Sequence, residues 1–246
     1  MKRTRVDELL VAQGLARHLQ EARARVLAGE VFVGERRLDK PGTTVPPDTS
    51  LLLRSRRPDW VSRGALKLLH GLDHFGLDPS GRAAIDVGAS TGGFTEVLLA
   101  RGANHVYAVD VGYGQLDAKL RGDPRVVVME RTNARHIDRT TIAGPIGAVV
   151  CDASFIGLRQ VLPAALACAV PGAFLVALIK PQFEVAREQV GRGGVVRDPE
   201  LHEAVCQEAA AWLPTLGWAV RGVDASPVLG PKGNREFLIA AHKTGG

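Results

Sequence analysis

The stretch from Ile85 to Thr95, Ile-Asp-Val-Gly-Ala-Ser-Thr-Gly-Gly-Phe-Thr, constrains the fold more than any other part of this chain. A short apolar run around Asp86 leads into Gly88, Gly92 and Gly93. The pattern predicts a buried strand, a glycine loop and then a helix, an arrangement that lets the backbone approach a ligand closely. The loop reads G-x-x-x-G-G and lacks the G-x-G-x-x-G spacing of dinucleotide-binding folds.

A second acid indicates the kind of ligand. His105 to Asp110 is another apolar run that ends in a carboxylate, 24 residues after Asp86. A carboxylate at this place can accept hydrogen bonds from both hydroxyls of a ribose. A ribose contact beside a loop without the dinucleotide spacing favours S-adenosylmethionine (SAM) over NAD as the cofactor.

The chain after Ala83 alternates between strand and helix patterns. This alternation predicts an α/β fold with a seven-stranded, Rossmann-like sheet and crossover helices. The predicted strands are 83–87, 105–110, 125–129, 146–151, 173–179, 217–223 and 235–241. In such a sheet a cofactor binds at the carboxyl ends of the first strands.

Three charged residues stand at the ends of predicted strands. Asp152 and Lys180 each follow a strand, and Glu236 opens the last one. Asp152 and Lys180 therefore face the same edge of the sheet, and Glu236 joins them there if the last strand runs antiparallel. A lysine directly after the apolar run 173–179 has no obvious structural purpose, so we expect a chemical one.

The chain shows no pattern of export or membrane insertion. Residues 161–179 carry no charge, but Pro171-Gly172 divides them, which predicts a short helix followed by a buried strand. The first residues do not resemble a signal peptide. Cys151, Cys168 and Cys206 form no C-x-x-C pair, which argues for a reducing cytosol and against a zinc site or a disulfide framework. We therefore expect a cytoplasmic protein that does not bind membranes.

Basic charge is concentrated in the first quarter of the chain. The 246 residues carry a net charge of +5, yet residues 1–67 alone hold 14 Lys and Arg against 8 Asp and Glu. Residues 68–246 hold 17 against 18. This asymmetry predicts a polyanion-binding appendage on a nearly neutral body.

The basic segment has the pattern of a small α+β module. Its predicted elements are helices at 5–13 and 18–28, a hairpin at 31–38, and strands at 44–45 and 51–53. Arginines spread along these elements form a plausible RNA-binding surface. The basic stretch 54–63, which contains Pro58, reads as a linker.

The helix predicted from Gly64 to Phe75 carries His70 and His74 at i,i+4 spacing. That spacing suits two metal ligands, but no acid accompanies them at metal-ligand spacing. We expect surface or packing histidines and no metal site. Lys67 lies off the apolar side of the same helix, where a lysine ordinarily faces solvent.

The segments around Arg5–Leu10, Ala28–Val33 and Lys40-Pro41 resemble the S4 domain, an RNA-binding module of ribosomal proteins and pseudouridine synthases. The resemblance implies an S4-like domain at 1–55, a linker at 56–63 and a methyltransferase domain at 64–246. One departure is His18-Leu19, where S4 domains usually carry Ser-Arg. We expect this change to remove a helix cap and a phosphate contact.

The remaining motifs resemble the TlyA family, S4-plus-methyltransferase proteins that methylate ribose 2′-hydroxyls of ribosomal RNA and were also described as hemolysins. The motifs are Asp86–Thr95, Val109–Leu116, Glu130–Asn133, Asp152–Ile156, Ile179–Glu184 and Lys232–Leu238. The methyltransferase half is similar to the FtsJ/RrmJ ribose methyltransferases. The resemblance implies SAM as cofactor, a cytidine of 16S or 23S rRNA as target, rRNA or ribosomal subunits as partners, and a monomer.

The same resemblance assigns the site residues. The Lys-Asp-Lys-Glu tetrad of the FtsJ branch falls on Lys67, Asp152, Lys180 and Glu236. SAM contacts fall on Gly88, Ser90, Gly92, Phe94, Asp110, Asn133 and Asp152. Residues that we expect to bind RNA are Arg5, Arg17, Arg23, Arg25, Arg36, Arg37, Arg63 and Arg192. In our hypothesis Lys180 is the base, Lys67 is the cation that keeps it neutral, and the two acids orient both amines.

Three alternatives remain open at this point. A membrane-active hemolysin is suggested by the family's older name, but no basic amphipathic helix of sufficient length supports it. An S4-type binding protein with an inactive methyltransferase fold conflicts with the complete tetrad. A base methyltransferase would need an N-P-P-Y or cysteine signature near Asp152, which the sequence lacks there.

Overall fold

The computed structural model describes residues 3–27, 29–53 and 60–245. The chain divides into two units, residues 1–59 and residues 60–246. The predicted linker, 56–63, therefore falls partly outside the described residues, and its last four residues belong to the second unit.

In the first unit, residues 3–27 and 29–53 form two helices and five short strands. Its helices are α1 (Val6–Ala12) and α2 (Leu19–Leu27), and its strands are β1 (Thr4–Arg5), β2 (Val31–Val33), β3 (Arg36–Leu38), β4 (Thr44–Val45) and β5 (Leu52–Leu53). Strands β1 and β4 pair, and β3, β2 and β5 form an antiparallel sheet in that order. Val6, Leu10, Val26 and Val31 are fully buried between helices and strands, as expected for a module of this size.

A buried carboxylate connects the two helices of the first unit. Asp7 is fully buried and accepts hydrogen bonds from Arg5 at 2.8 and 2.9 Å and from Arg23 at 3.0 Å. The hydrogen bonds from Arg5 and Arg23 lower the pKa of Asp7 to about 2. The cap that we expected to be missing from α2 is present in another form, because His18 Nδ1 accepts the backbone N–H of Glu21 at 3.2 Å.

The second unit is built on one seven-stranded sheet, as predicted. Its strands are β6 (Ala83–Val87), β7 (His105–Val109), β8 (Val126–Met129), β9 (Ile146–Cys151), β10 (Ala169–Ile179), β11 (Trp218–Ala225) and β12 (Phe237–Lys243). Their order across the sheet is β11-β12-β10-β9-β6-β7-β8. Strands β6 to β10 run parallel, whereas β12 is antiparallel to both of its neighbours. The start of β12 therefore meets the carboxyl ends of the parallel strands.

Helices cover both faces of this sheet. They are α3 (Gly64–Phe75), α4 (Gly93–Ala100), α5 (Ala118–Arg121), α6 (Leu158–Val161), α7 (Pro163–Cys168), α8 (Pro181–Glu184) and α9 (Pro199–Trp212). One apolar core lies under α3 and α4, and a second lies under α6, α7 and α9. The sheet is therefore buried on both faces, which is why its central strands are apolar almost throughout, with Asp86 of β6 as an exception.

The uncharged stretch 161–179 forms α7 and then β10, as the sequence predicts. Strand β10 begins earlier than predicted, at Ala169, and its pairing with β9 shifts register between Ala169 and Phe174. Pro171-Gly172, which the sequence pattern places before the strand, lies inside it, within this irregularity, which is where strands accept proline and glycine. No helix of the described residues is long and apolar enough to cross a membrane.

Candidate active site

The glycine loop follows β6 at the point where the chain's order in the sheet reverses. Strand β7 lies on one side of β6 and β9 on the other, so a crevice opens at their carboxyl ends. Gly88 has a φ of +82°, and a Cβ there would lie 2.8 Å from Ala153 Cα. Glycine is therefore required at this position both for its backbone conformation and for its close approach to the segment after β9.

A cavity of about 550 Å³ lies in this crevice. Five of the predicted SAM contacts line it: Gly88, Ser90, Asp110, Asn133 and Asp152. The Asp110 carboxylate accepts the backbone N–H of Ser90 at 2.9 Å and of Gly112 at 2.7 Å. These bonds fix the carboxylate at the end of β7, and each oxygen keeps a further lone pair for a ribose hydroxyl.

The other two predicted SAM contacts lie elsewhere. Phe94 is 3% exposed and lines a second, neighbouring cavity. Gly92 lines neither cavity. It precedes α4 in a left-handed conformation, and a Cβ there would collide with Leu120 and Leu116. Its evident structural role is to let α4 begin close to α5. The helix accordingly starts at Gly93, directly after this glycine.

The lining of the larger cavity fits a SAM molecule. The cavity combines apolar walls from Val87, Val109 and Ile156 with the fixed carboxylate of Asp110 and the side chain of Asn133. Asn133 Oδ1 accepts the backbone N–H of Arg135 at 3.1 Å, which orients the amide. An apolar pocket with a few fixed polar groups is what a nucleoside cofactor requires.

The tetrad lines the second cavity, which has a volume of about 330 Å³. Lys67, Asp152, Lys180 and Glu236 all contribute to its wall. Four residues line both cavities: Gly88, Ser90, Asp152 and Ser154. The two cavities are therefore adjacent, and the carboxylate of Asp152 lies where they meet.

Direct contacts connect the four tetrad side chains. Lys67 Nζ lies 2.6 Å from Glu236 Oε2 and 3.6 Å from Asp152 Oδ2. Lys180 Nζ lies 2.6 Å from Asp152 Oδ1. Lys180 also donates to the Asp152 carbonyl at 3.1 Å and to Ser154 Oγ at 2.9 Å. Residues separated by up to 169 positions in the sequence thus form one cluster. Glu236 reaches it because β12 is antiparallel to β10, so that the start of β12 lies beside the end of β10.

Burial distinguishes this cluster from ordinary surface ion pairs. Lys67, Lys180 and Glu236 are 8%, 6% and 2% exposed. A lysine off the apolar side of a helix ordinarily faces solvent, but Lys67 is buried against the two acids Asp152 and Glu236. Two ammonium and two carboxylate groups balance in charge, and only such pairing makes the burial of charged groups tolerable.

One oxygen of Glu236 has no hydrogen-bond partner among the described residues. This oxygen, Oε1, is buried. Gly230 packs against this carboxylate so closely that a Cβ would collide with it. The glycine lets the segment before β12 cover the acid, which leaves Oε1 buried without a hydrogen-bond donor.

Sequence reasoning missed two residues beside the tetrad. Ser154 binds Lys180 and lines both cavities, and Phe155 lines the cofactor cavity. Phe155 is 90% exposed, has a φ of +65° and lies 5.2 Å from the Phe183 ring. A strained, exposed aromatic residue at a cavity is a functional signal, but only its presence in the motif Asp152–Ile156 pointed to it.

Asp86 lies beneath the site. Its side chain is fully buried, and its Oδ2 accepts a hydrogen bond from Thr95 Oγ1 at 2.6 Å. Burial, with a smaller effect of the negative charges of Asp152 and Asp110, outweighs the Thr95 hydrogen bond and raises the pKa of Asp86 to about 7. This carboxyl group therefore holds a proton far more tightly than an ordinary aspartate.

The eight arginines predicted to bind RNA fall into two sets. Arg5 and Arg23 bind Asp7, and Arg17 and Arg25 bind Glu21 at 3.1 and 2.9 Å. The exposed remainder, which forms no ion pair with a described residue, comprises Arg36, Arg37, Arg63 and Arg192. Arg63 belongs to the second unit and lines the tetrad cavity. Arg192 lies in a turn closed by pairing of Gly191 with Val195.

Comparison with known proteins gives consistent matches. Residues 60–243 match the FtsJ-like methyltransferase family. The 16S/23S rRNA (cytidine-2′-O)-methyltransferase TlyA of Mycobacterium tuberculosis is 51% identical over 97% of this chain and 89% of that protein. Hemolysin A of Brachyspira hyodysenteriae is 37% identical over 95% of this chain and 98% of that protein. A solved Streptococcus thermophilus structure, which also carries a hemolysin name, is 44% identical with a TM-score of 0.76, and the match covers 99% and 90% of the two chains.

Proposed function

The chain belongs to the TlyA family of FtsJ-like methyltransferases, and from this premise we propose that it methylates a cytidine 2′-hydroxyl in ribosomal RNA. It is a SAM-dependent methyltransferase. The observation that carries the proposal is the buried tetrad in a cavity directly beside the cofactor cavity. A ribose hydroxyl is a weak acid, so its methylation requires both positioning and removal of a proton.

The adjacent cavities account for positioning. When bound, SAM supplies a methyl group on a sulfonium, which is a strong electrophile. Gly88, Ser90 and Asp110 would hold the nucleoside part of SAM. Asp152 lies at the boundary between this cavity and the tetrad cavity. Alignment of an acceptor oxygen with the methyl group can contribute about 7–11 kcal/mol to lowering the barrier.

The tetrad accounts for the proton. We assign the base to Lys180, whose amine lines the tetrad cavity and donates to Ser154, a residue that lines both cavities. To act, Lys180 would first release its own proton, and its free amine would then take the proton of the ribose hydroxyl. Lys67 and Glu236, which line the tetrad cavity, would orient the hydroxyl. Asp152 contacts one lysine through each of its two oxygens.

We assign recognition of the RNA to features outside the tetrad. The exposed ring of Phe155 offers a stacking surface for a base at the mouth of the site. Three exposed arginines could bind phosphates: Arg36 and Arg37 of the proposed S4-like domain, residues 1–55, and Arg63 at the tetrad cavity. The tetrad and both cavities come from one chain, which supports a monomer. We also propose a cytoplasmic location, because the proposed substrate is ribosomal RNA.

The test uses purified protein, SAM labelled in its methyl group, and ribosomal subunits or their naked RNA. A 2′-O-methyl group blocks alkaline cleavage of the adjacent phosphodiester, so label on ribose survives alkali as a dinucleotide. We expect labelled dinucleotides with a cytidine at the methylated position. Label released as mononucleotides would indicate base methylation and would overturn the proposal.

The other functions that the sequence suggested have less support. The hemolysin alternative rests on the names of relatives. An inactive methyltransferase fold conflicts with the intact contacts among all four tetrad side chains. SAM titration by calorimetry would detect such a protein, because it would bind RNA without binding the cofactor.

A further inference from the structure

A second polar cluster lies where α3 crosses the edge strand β11. His70 and His74 stand one turn apart on α3, and their rings stack with centroids 5.5 Å apart. Asp224 of β11 faces both: its Oδ2 lies 2.6 Å from His70 Nε2 and 3.6 Å from His74 Nδ1. The sequence alone could not show that these residues are close together, because Asp224 follows His74 by 150 positions.

The three ligand atoms have the spacing that a metal ion needs. All of them lie within 4.8 Å of one another. An ion with bonds of about 2.0–2.1 Å holds tetrahedral ligand atoms roughly 3.3 Å apart. The His70–Asp224 distance of 2.6 Å is shorter than this value, and the His74–Asp224 distance of 3.6 Å is longer. The side chains of His70, His74 and Asp224 are 35%, 46% and 31% exposed, so modest side-chain rotations can reach it.

We propose that His70, His74 and Asp224 bind one divalent transition-metal ion of the zinc class. Two imidazole nitrogens and one carboxylate oxygen suit Zn²⁺, Co²⁺ or Ni²⁺, whereas Mg²⁺ and Ca²⁺ prefer oxygen ligands throughout. In residues 3–27, 29–53 and 60–245, no other group of three His, Cys, Asp or Glu side chains has ligand atoms this close.

The site would join two elements of the second unit. Helix α3 carries Lys67 one turn before His70, and β11 is the outermost strand beside β12, which follows Glu236. A bound ion would therefore cross-link the helix that carries one tetrad lysine to the edge of the sheet. The alternative is a plain His70–Asp224 ion pair, which needs no metal.

Metal binding distinguishes these two possibilities. The full chain, without a histidine tag and after treatment with a chelator, is titrated with Co²⁺ and then with Zn²⁺. We expect one Co²⁺ per chain with visible absorption bands, displaced by one Zn²⁺. His74→Gln leaves the His70–Asp224 contact in place, and Asp224→Asn keeps a hydrogen-bonding partner for His70. Each variant should weaken binding at least tenfold.

His136→Ala provides the matched control, because His136 is an exposed histidine outside the cluster. It should bind Co²⁺ like the unmodified chain. Absence of saturable binding, or binding that His74→Gln and Asp224→Asn leave unchanged, would overturn the proposal and leave the plain ion pair. Neither readout depends on methyl transfer, so the result is independent of the proposed function.

Thermal unfolding gives a second readout. Zn²⁺ at a hundred times its Kd should raise the Tm of the second unit by roughly 5–10 °C. His74→Gln should fold and lose this increase. A Tm that responds equally in both proteins would contradict a site at these residues.

Discussion

Lys180 Nζ lies 2.6 Å from Asp152 Oδ1, at the boundary between a cavity that fits SAM and a cavity lined by the tetrad. The pair connects two neighbouring strand ends, since Asp152 follows β9 and Lys180 follows β10. It is thereby held by the rigid sheet and not by a loop. This geometry makes the chemical role of Lys180 testable separately from its structural role.

Lys180→Arg should remove methyl transfer while keeping the ion pair. Arginine retains the positive charge beside Asp152 but cannot give up a proton at physiological pH, so it cannot serve as a base. We expect kcat to fall by about 10²–10⁴, the usual contribution of general base catalysis, with the Kd for SAM nearly unchanged. Single-turnover transfer and calorimetric SAM titration measure the two quantities.

Lys119→Arg is the control for this substitution. Lys119 is exposed and pairs with Glu96 at 2.9 Å outside both cavities, so the same change there should leave the activity unaltered. Turnover of Lys180→Arg at the unmodified rate would remove Lys180 from the role of base.

Gly88→Ala and Gly114→Ala should differ in their effects on stability. Both glycines have positive φ, +82° and +70°, so each alanine carries a conformational cost of about 1–2 kcal/mol. Only at Gly88 does the added Cβ also meet backbone, at Ala153. We expect Gly88→Ala to lower the free energy of unfolding by a further 1–3 kcal/mol or so and to weaken SAM binding. Urea unfolding measures the difference, and equal losses would refute the close approach at Gly88.

Asp86 should make the stability of the second unit depend on pH. Its pKa is about 7 in the folded chain and about 3.9 in an unfolded one. Because the folded state binds the proton more tightly, the stabilisation is fully present below about pH 4 and is lost as pH rises towards 7. The two pKa values correspond to roughly 4 kcal/mol.

Asp86→Asn isolates this effect, since asparagine has the same shape and does not titrate. Relative to the unmodified chain, its free energy of unfolding should increase steadily between pH 4 and 7 and then level off. Urea unfolding of both proteins across this range provides the measurement. A difference that stays constant with pH would show that Asp86 does not titrate in this window.

Replacement of Arg36 and Arg37 by glutamine should weaken binding to ribosomal RNA. Both guanidinium groups are exposed on β3 and form no ion pair with a described residue. The slope of log K against log salt concentration should fall by about 1 for each arginine that contacts a phosphate. Arg125→Gln removes a charge already paired with Asp123 and should leave the slope nearly unchanged. An unaltered slope in the Arg36/Arg37 variant would exclude this surface from the interface.

Local patterns predicted much of this architecture because they act over a few residues. The loop at Gly88 and the carboxylate of Asp110 follow from strand and turn chemistry, and the structure has both at the predicted crevice. The burial of Lys67 could not be foreseen in this way. The burial of Lys67 depends on its contact with Glu236, which lies 169 positions later in the sequence, just before an antiparallel strand. Only the resemblance to a family connected Lys67 with Glu236 in advance.

Long-range pairing also explains what the sequence did not reveal. Arg5 and Arg23 look like free basic residues in the sequence, yet both are bound to the buried Asp7. His70 and His74 lacked an acid partner in the sequence, and Asp224 reaches them only through the fold. Periodicity indicates which face of a helix is apolar, but it does not identify the distant residue that packs against a polar one.

Mass-spectrometric mapping of ribosomal RNA tests the central claim most directly. RNA is treated with SAM and either the unmodified chain or Lys180→Arg, digested with specific nucleases and sequenced by fragment mass. We predict a 2′-O-methylcytidine in RNA treated with the unmodified chain and none above background with Lys180→Arg. A methyl group on a base, or 2′-O-methylation that persists in the variant, would contradict the tetrad as the site of ribose methylation.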